Sequence, residues 1–186
     1  MQEEGAMSST GPEGQAMDLN YRRLGTQDVA AWRALMLEGT RDFPLGFLQS
    51  AAEVQALSGE RCREILGYGA LRGVFRQDAL LGLCGYRPQM FARMAHRVEL
   101  GPFYVTRKAQ GTGVADRMMA GAIAEARSEG RSLVELYVDA ENHRAIAFYQ
   151  RHGFRLLARL PDCVRIDGGA RVDLFYRLDL SPRDGA

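Results

Sequence analysis

A short glycine-bearing segment, "KAQGTGVADRMM" at residues 108–119, has the residue types needed to hold an anion. Gly111 and Gly113 stand where a strand-like run gives way to a helix-like run. The first amides of a helix have no partner inside it, and the helix dipole favours negative charge there. Because two glycines leave the backbone bare, a phosphate or pyrophosphate can approach these amides. The segment therefore predicts a phosphate-binding loop.

Two widespread phosphate motifs do not match this loop. A Walker loop requires Lys and then Ser or Thr after its last glycine, whereas Val114 and Ala115 follow here. The dinucleotide-binding pattern requires a third glycine where Asp116 stands. A tight turn between a strand and a helix also uses glycine pairs. Taken alone, the loop leaves open both a coenzyme site and a structural turn.

A second segment, "DAENHRAIAFYQRHGF" at residues 139–154, pairs a polar side chain with a phenol. Asn142 and Tyr149 are seven residues apart. On a helix this spacing places both on one face, about 10 Å apart. One face can thus present an amide anchor and a phenol to the same extended ligand. The structural alternatives are a helix N-cap for Asn142 and an aromatic core position for Tyr149.

Together the two segments resemble the GCN5-related N-acetyltransferase (GNAT) family. The first follows that family's coenzyme A loop, Gln/Arg-x-x-Gly-x-Gly/Ala, with Gln110, Gly113 and Ala115. The second follows a later motif of the family, with Asn142, Tyr149, Gly153 and Phe154. The resemblance covers at least residues 70–180, whereas residues 19–69 match the family's first strand and paired helices only loosely.

The resemblance implies an enzyme that transfers an acetyl group from acetyl-CoA to a primary amine by direct attack on the thioester. Tyr149 would protonate the leaving thiolate, since a phenol's reference pKa of about 10 is close to that of a thiol. Backbone amides of the loop would hold the pyrophosphate, and the strand before it would bond the pantetheine arm and acetyl oxygen. The implied coenzyme contacts are Tyr104, Val105, Gln110, Gly111, Thr112, Gly113, Val114, Ala115 and Asn142.

The base that deprotonates the amine is less sharply indicated. Glu99 lies in the strand before the loop, six residues ahead of Val105, and could accept a proton through water. An exposed strand carboxylate is the structural alternative. Glu135, in the neighbouring strand between Val134 and Leu136, is a weaker candidate. His96 is weaker still, because a lone His at a strand start is more often structural.

The acceptor is left open by the sequence. By analogy with the family, the segment "RDFPLGFLQS" borders the acceptor site, where Phe43, Phe47 and Leu48 would form an apolar wall. Small molecules, peptides and protein N-termini all remain candidates. Two further hypotheses are a non-catalytic acyl-CoA-binding or regulatory module on the same fold, and an unrelated α/β protein that binds another phosphate. A homodimer is also left open.

The elements around the loop form a strand–helix–strand unit. An apolar run at 96–105 precedes the loop, and "SLVELYV" at 132–138 follows the helix. The helix has one apolar face, made of Ala115, Met118, Met119, Ala122, Ile123 and Ala126. This order predicts two parallel strands joined by a right-handed crossover.

The remaining segments add antiparallel strands and helices. Residues 70–88 read as a hairpin that turns at 77–79, and residues 154–180 as two more strands, the last alternating from Val172 to Leu180. Helices are expected from an N-cap at Thr26 and within residues 50–69, with a break near Ser58. The apolar gap at 88–95 is expected to pack on the core. The predicted fold class is α/β, with a mixed, twisted, mostly antiparallel sheet, one parallel pair and flanking helices.

Composition restricts the function classes. The chain has 186 residues, 46% of them hydrophobic and 25% charged, with a formal net charge of +1. This charge gives no global case for nucleic acid or an anionic membrane. No apolar run approaches the ~18 residues of a membrane span. The Cys and His residues show no metal-ligand spacing, so no metal is expected, and the reduced thiols suggest a cytoplasmic protein. Residues 1–18 are expected to form a disordered leader, 19–181 a single acetyltransferase domain and 182–186 a short tail.

Overall fold

The computed structural model describes residues 19–181, so the leader and tail expected from the sequence lie outside the described residues. Seven strands form one sheet: β1 (Leu19–Arg23), β2 (Leu71–Arg76), β3 (Ala79–Pro88), β4 (Arg97–Val105), β5 (Leu133–Asp139), β6 (Arg155–Ile166) and β7 (Gly169–Asp179). Five α-helices flank it: α1 (Val29–Asp42), α2 (Ala51–Ala56), α3 (Gly59–Gly67), α4 (Val114–Ser128) and α5 (His143–Arg151).

The sheet has the order β1-β2-β3-β4-β5-β7-β6. All neighbouring strands are antiparallel except β4 and β5, which are parallel and joined through α4. The mixed sheet and the single parallel pair predicted from the sequence are therefore confirmed, as is the hairpin predicted to turn at 77–79, although Ala79 already belongs to β3. Because α4 must cross one face of the sheet to join two parallel strands, its N-terminus lies at the end of β4.

Apolar patterns decide which face each helix covers. Met118, Met119, Ala122 and Ala126 of α4 are buried against the sheet, as the helical spacing predicts. On the opposite face, α1 packs with Trp32, Leu35 and Met36 on β2 and β3. Strand β5 is buried on both faces except at Tyr137 and the partly buried Leu133. The sheet is thus held between two helical layers.

Two local predictions are wrong. Thr26 is not the N-cap of a long helix: a short 3-10 turn, Thr26–Asp28, comes first, and Asp28 precedes α1. Asp28 bonds the Gly25 N–H and both terminal nitrogens of Arg22, which fixes the turn. The gap at 88–95 does not pack on the core, since Met90 and Phe91 are 90% and 77% exposed. The break expected near Ser58 is confirmed, with Ser58 capping α3.

Candidate active site

The glycine loop presents unpaired backbone donors. Gly111 and Gly113 have φ of +78° and +85°, a backbone conformation that residues other than glycine rarely adopt. A Cβ atom at either position would meet nothing within 4 Å. The first donor inside α4 is the Arg117 N–H, which bonds the Gly113 carbonyl at 2.9 Å. The N–H groups of Val114 and Ala115 therefore point out of the helix end, toward a surface that an anion can reach.

Polar side chains brace this loop from within. The Thr112 hydroxyl donates to the Ala109 carbonyl at 2.7 Å. Gln110 donates through Nε2 to the Val105 carbonyl at 3.0 Å, and its Oε1 accepts from Arg144 Nη1 at 2.5 Å. Gln110 thus ties the loop to the end of β4 and brings a guanidinium to the loop's rim. In this structure Gln110 and Thr112 hold the loop's shape, and the backbone supplies its free donors.

Strands β4 and β5 separate beside the loop. They pair from Arg97 to Leu100 in β4, although β4 continues to Val105 and β5 to Asp139. The Thr106 N–H bonds the Leu81 carbonyl of β3 at 2.8 Å. Because an antiparallel ladder alternates, Tyr104 also bonds to β3, whereas the backbone groups of Phe103 and Val105 face the gap. The gap thus exposes strand-like donors and acceptors that an extended ligand can pair with.

The Tyr104 side chain has a structural partner that the sequence did not indicate. Its hydroxyl donates to Glu38 Oε1 at 3.0 Å, and the same carboxylate accepts from the Thr106 hydroxyl and the Arg107 N–H, each at 2.8 Å. Burial opposes ionisation of Glu38, but these hydrogen bonds outweigh it and hold its pKa below the usual range. Helix α1 is thereby fastened to the end of β4. No sequence signal links positions so far apart.

Tyr149 occupies the centre of an aromatic group. Its ring lies 6.2 Å from that of Phe103, 5.6 Å from Phe148 and 5.8 Å from Phe154. It is 7% exposed. Burial, with a further contribution from Cys84, raises the pKa of its phenol well above the usual value. The phenol therefore keeps its proton at neutral pH, and burial makes it a weaker acid than the exposed phenol whose pKa matches that of a thiol.

Asn142 is the N-cap of α5, since its Oδ1 accepts from the Ala145 N–H at 3.2 Å. The structural role considered for it from the sequence is thus present. The cap also fixes where α5 begins, and so where Tyr149 lies two turns later. Asn142 nevertheless remains part of the walls of both cavities described next.

Two cavities meet at Tyr149. The smaller, of about 560 Å³, is lined by the glycine loop, the end of β4 and the outer face of α5. The larger, of about 710 Å³, is lined by Glu99, Tyr137, Asp139 and the β6–β7 hairpin. They share six residues: Gly46, Phe47, Phe103, Asn142, Ala145 and Tyr149. A ligand in one cavity can therefore contact a ligand in the other beside the Tyr149 ring.

The segment expected to border an acceptor lies at these cavities. Phe47 lines both, Phe43 lines only the smaller, and Leu48 lines the larger while being 83% exposed. Phe43 and Phe47 pack against the Tyr104 ring at 5.9 and 5.6 Å. The apolar wall therefore rests on the same tyrosine that Glu38 anchors.

Carboxylates in the larger cavity differ in their partners. Glu99 lies 2.6 Å from Arg87, and Asp139 lies 2.8 Å from Arg171. Asp173 lines the same cavity, directly across the β5–β7 ladder from Asp139. Among residues 19–181 it has no cation within 4 Å. Burial and the neighbouring Asp139 raise the pKa of Asp173, and Arg171 only partly opposes them. Nothing in the sequence singles out Asp173, which stands in an ordinary alternating strand.

The two weaker base candidates lie away from the cavities. Glu135 is 4% exposed and pairs with Arg97 at 2.7 Å. His96 precedes β4, and its carbonyl accepts from the Ser132 and Leu133 N–H groups. Neither residue lines either cavity.

Across residues 19–181, no group of three or more His, Cys, Asp or Glu side chains is arranged to hold a metal ion. None of the helices in this part of the chain has the length and apolar character needed to cross a membrane. All three cysteines are free thiols; Cys62 and Cys84 are buried and Cys163 is exposed.

Comparison with known proteins gives one consistent result. Residues 32–154, more than half of the chain, match the model of the acetyltransferase (GNAT) family. A mycothiol acetyltransferase from Renibacterium salmoninarum is 30% identical over 131 residues, which cover 69% of this chain and 38% of that relative. The chain thus spans less than half the length of the curated relatives it matches.

Solved structures share the fold. An acetyltransferase of the GNAT family from Streptococcus pneumoniae superimposes with a TM-score of 0.77 at 17% identity, covering 88% of this chain and 99% of the other. The Salmonella typhimurium protein yncA, solved with its cofactor acetyl-CoA, gives a TM-score of 0.73 at 16% identity over 90% of this chain and 97% of its own. At such identities the likeness concerns the fold.

Proposed function

The chain belongs to the acetyltransferase (GNAT) family, and from this premise we propose that it transfers the acetyl group of acetyl-CoA to a primary amine. The observation that carries the proposal is the meeting of two cavities at the Tyr149 phenol. One cavity has bare helix-end amides suited to a pyrophosphate, and the other has carboxylates suited to an amine. Residues 19–181 would act as one acetyltransferase domain.

The residues of the smaller cavity are suited to coenzyme A. Within the segment from Gln110 to Ala115, the amides of Gly111, Gly113, Val114 and Ala115 would hold the pyrophosphate, and the two glycines leave the approach open. The N–H groups of Gln110 and Thr112 already bond the Arg107 and Ala109 carbonyls at 3.4 Å, and their side chains brace the turn. Arg144 adds a positive charge at the rim. The Val105 N–H and the Phe103 backbone would pair with the pantetheine amides, and Tyr104 would fix that strand through Glu38. Bound here, acetyl-CoA would supply the thioester.

The chemistry needs a proton donor for the leaving thiolate. Tyr149 would supply it, because its buried phenol is neutral at physiological pH and lies where the two cavities join. Asn142 would set the position of Tyr149 by capping α5. Glu99, at the wall of the acceptor cavity, would take a proton from the attacking nitrogen through water.

The relatives' name refers to mycothiol; for this chain we propose only the broader class of primary amines. A cytoplasmic location is also proposed, and the three free thiols support it. The non-catalytic coenzyme-binding alternative differs from the enzyme in one measurable respect, because it would bind acetyl-CoA without releasing CoA when amines are added.

The coenzyme site can be tested with two matched glycine variants. Gly113 and Gly130 flank α4, both have positive φ, and a Cβ at either meets nothing within 4 Å. Glutamate at either site causes similar backbone strain, but only Gly113→Glu places a carboxylate against the proposed pyrophosphate. Calorimetry should show acetyl-CoA binding to wild type and Gly130→Glu, and none to Gly113→Glu. Equal binding by both variants, or a preference of the wild type for ATP over CoA, would contradict the site.

A further inference from the structure

Three aromatic rings stand together where the two cavities join. Phe47 lines both cavities, and Phe43 and Tyr104 line the smaller one. The Tyr104 ring lies 5.9 Å from that of Phe43 and 5.6 Å from that of Phe47. These three residues are called the aromatic trio below. Because Tyr149 also lines both cavities, the trio and Tyr149 border the same junction.

Glu38 of α1 holds the aromatic trio at its Tyr104 end, although Glu38 lines neither cavity. Its Oε1 atom accepts from the Tyr104 hydroxyl at 3.0 Å, and from the Thr106 hydroxyl and the Arg107 N–H at 2.8 Å each. Tyr104 is only 6% exposed, so water has little access to replace a lost partner. Removing the Glu38 carboxylate would therefore release both the ring and the end of β4.

Gly39, the next residue of α1, holds the aromatic trio at its Phe47 end. A Cβ atom at Gly39 would overlap the Phe47 ring and lie 3.1 Å from the Tyr104 ring. The Phe43 N–H bonds the Gly39 carbonyl at 2.8 Å, which sets the direction in which the chain leaves α1. Glycine weakens a helix relative to alanine. The missing side chain of Gly39 thus serves the packing of the rings and not the stability of α1.

We propose that Glu38 and Gly39 are positioning residues for acetyl transfer, which hold the aromatic trio so that the acceptor nitrogen meets the thioester in the geometry of attack. This inference rests on the proposed acetyl transfer and adds two residues that touch neither ligand. The reacting atoms must come within about 3–3.5 Å of each other, and a displacement of about 1 Å can cost 100-fold in rate. Movement of Tyr104 or Phe47 is therefore expected to change acceptor binding and the transfer step.

Coenzyme affinity should depend much less on these two residues. The pyrophosphate amides belong to the glycine loop, which Gln110 braces through the Val105 carbonyl and Thr112 through the Ala109 carbonyl. A positioning role thus predicts changes in kcat and in the KM of the amine, with little change in the acetyl-CoA dissociation constant. A residue that only stabilised the fold would lower the amount of active protein and leave the KM of the amine unchanged.

Substitutions at Glu38 separate its hydrogen bonds from its charge. Glu38→Ala removes the acceptor. Glu38→Gln keeps Oε1 for Tyr104 and Arg107, and its amide nitrogen can donate to the Thr106 hydroxyl, which lies 3.0 Å from Oε2. Glu38→Gln should therefore restore activity. Asp42→Asn is the control on the same helix, because Asp42 pairs with the exposed side chain of Arg107 at 3.6 Å.

An alanine at Gly39 tests the other end of the trio. Gly39→Ala displaces the Phe47 ring without removing any hydrogen-bonding group. Gly67→Ala, at the end of α3, is the matched control, because a Cβ atom at Gly67 meets nothing within 4 Å.

The experiment measures acetyl-CoA binding by calorimetry and the acetylation of phenethylamine, spermidine and aniline, well below the unfolding temperature of each variant. With the amine that wild type acetylates fastest, Glu38→Ala and Gly39→Ala should raise the KM of the amine and lower kcat/KM about 30-fold or more. Their acetyl-CoA dissociation constants should stay within about 3-fold of wild type. Glu38→Gln, Asp42→Asn and Gly67→Ala should keep kcat/KM within about 3-fold.

The outcomes distinguish this inference from the proposed function. If wild type binds acetyl-CoA and acetylates an amine, but Glu38→Ala and Gly39→Ala leave the KM of the amine unchanged, the inference is overturned and the proposed function stands. The same follows if Glu38→Gln is as slow as Glu38→Ala, or if either alanine variant loses acetyl-CoA affinity as strongly as kcat/KM. A wild type that binds no acetyl-CoA, or that acetylates none of the three amines, overturns both.

Discussion

Two groups of charged residues lie on opposite faces of the sheet and are treated differently by the fold. The helix-side cluster consists of Tyr21, Arg72, Tyr86, Glu125 and Glu129. In it Arg72 bonds Glu125 through Nε and Nη2 at 2.7–3.0 Å, and the hydroxyls of Tyr21 and Tyr86 donate to Glu125 and Glu129. The cavity carboxylates are Glu99, Asp139 and Asp173, and among residues 19–181 only Asp173 has no cationic partner.

The difference separates charges that support the fold from a carboxylate that the fold leaves without a cationic partner. Arg72 is 6% exposed, and each of its terminal nitrogens is used: Nη1 donates to the Gly69 and Leu71 carbonyls, Nη2 to Glu125. Such a cluster fastens α4 to β2, and so fixes the glycine loop at the start of α4. Asp173, which has no cationic partner among residues 19–181, does not hold two elements together. Its repulsion with Asp139 across the ladder lowers the free energy of unfolding.

The largest effect is expected from breaking the helix-side cluster. Arg72→Met leaves the Glu125 carboxylate partly buried without its cation and should lower the free energy of unfolding by about 3–5 kcal/mol. Denaturant unfolding measures this change. Arg61→Met, which removes an exposed pair with Glu64, is the control and should leave the free energy of unfolding nearly unchanged. Equal losses of unfolding free energy in the two variants would show that the helix-side cluster stabilises the fold no more than an exposed ion pair does.

Removing the phenol hydroxyl should affect chemistry and leave the fold intact. Tyr149→Phe keeps the ring in its aromatic group, so stability should change little. Turnover should fall about 100-fold or more, while the acetyl-CoA dissociation constant stays the same. Tyr176→Phe is a matched control, because the buried Tyr176 hydroxyl accepts a hydrogen bond from Gln150 and Tyr176 lines neither cavity. Wild-type turnover in Tyr149→Phe would remove this residue from the mechanism.

A smaller effect is expected at Glu99, because Arg87 already holds its carboxylate. Glu99→Gln should lower turnover about 10-fold, and most at low pH, where little amine is deprotonated in solution. A pH–rate profile of the variant against wild type measures this. Profiles of the same shape and height would make Glu99 a wall residue only.

The smallest effect contrasts a paired carboxylate with an unpaired one. Asp173→Asn removes a charge opposite Asp139, so at pH 7 the free energy of unfolding should stay level or rise by up to about 1 kcal/mol. Because folding raises the pKa of Asp173, its ionised form is disfavoured in the native state. The advantage of the variant should therefore vanish as the pH falls and Asp173 protonates. Asp139→Asn should instead lower stability, since Arg171 loses its partner.

Local patterns in the sequence were sufficient for the parts of the site that are contiguous. The glycine pair, the apolar face of α4 and the Asn142–Tyr149 spacing each lie within about four helical turns, and helix and strand periods translate them directly into positions. Placement of the loop at a helix N-terminus followed from the same short-range rules.

Contacts between segments far apart in the sequence could not be predicted from such local patterns. Glu38 meets Tyr104 and Asp173 meets Asp139 only because α1 crosses the sheet and β7 inserts between β5 and β6. The prediction that residues 88–95 pack on the core was wrong for a related reason. An apolar segment is buried only if the fold brings a surface to it, and Met90 and Phe91 are exposed. The prediction of Thr26 as a helix N-cap was wrong because Asp28, two residues later, stabilises a 3-10 turn ahead of α1.

The most direct measurement of the central claim is to follow both products and the protein itself in one reaction. Wild-type protein would be mixed with acetyl-CoA and phenethylamine, spermidine or aniline, and analysed by mass spectrometry for CoA, N-acetyl amine and intact protein. Direct transfer predicts CoA and N-acetyl amine in equal amounts, at many turnovers per protein, with the protein mass unchanged. A stable acetyl group on the protein, for example on the exposed Cys163 in the larger cavity, or CoA release without any acetylated amine, would contradict it.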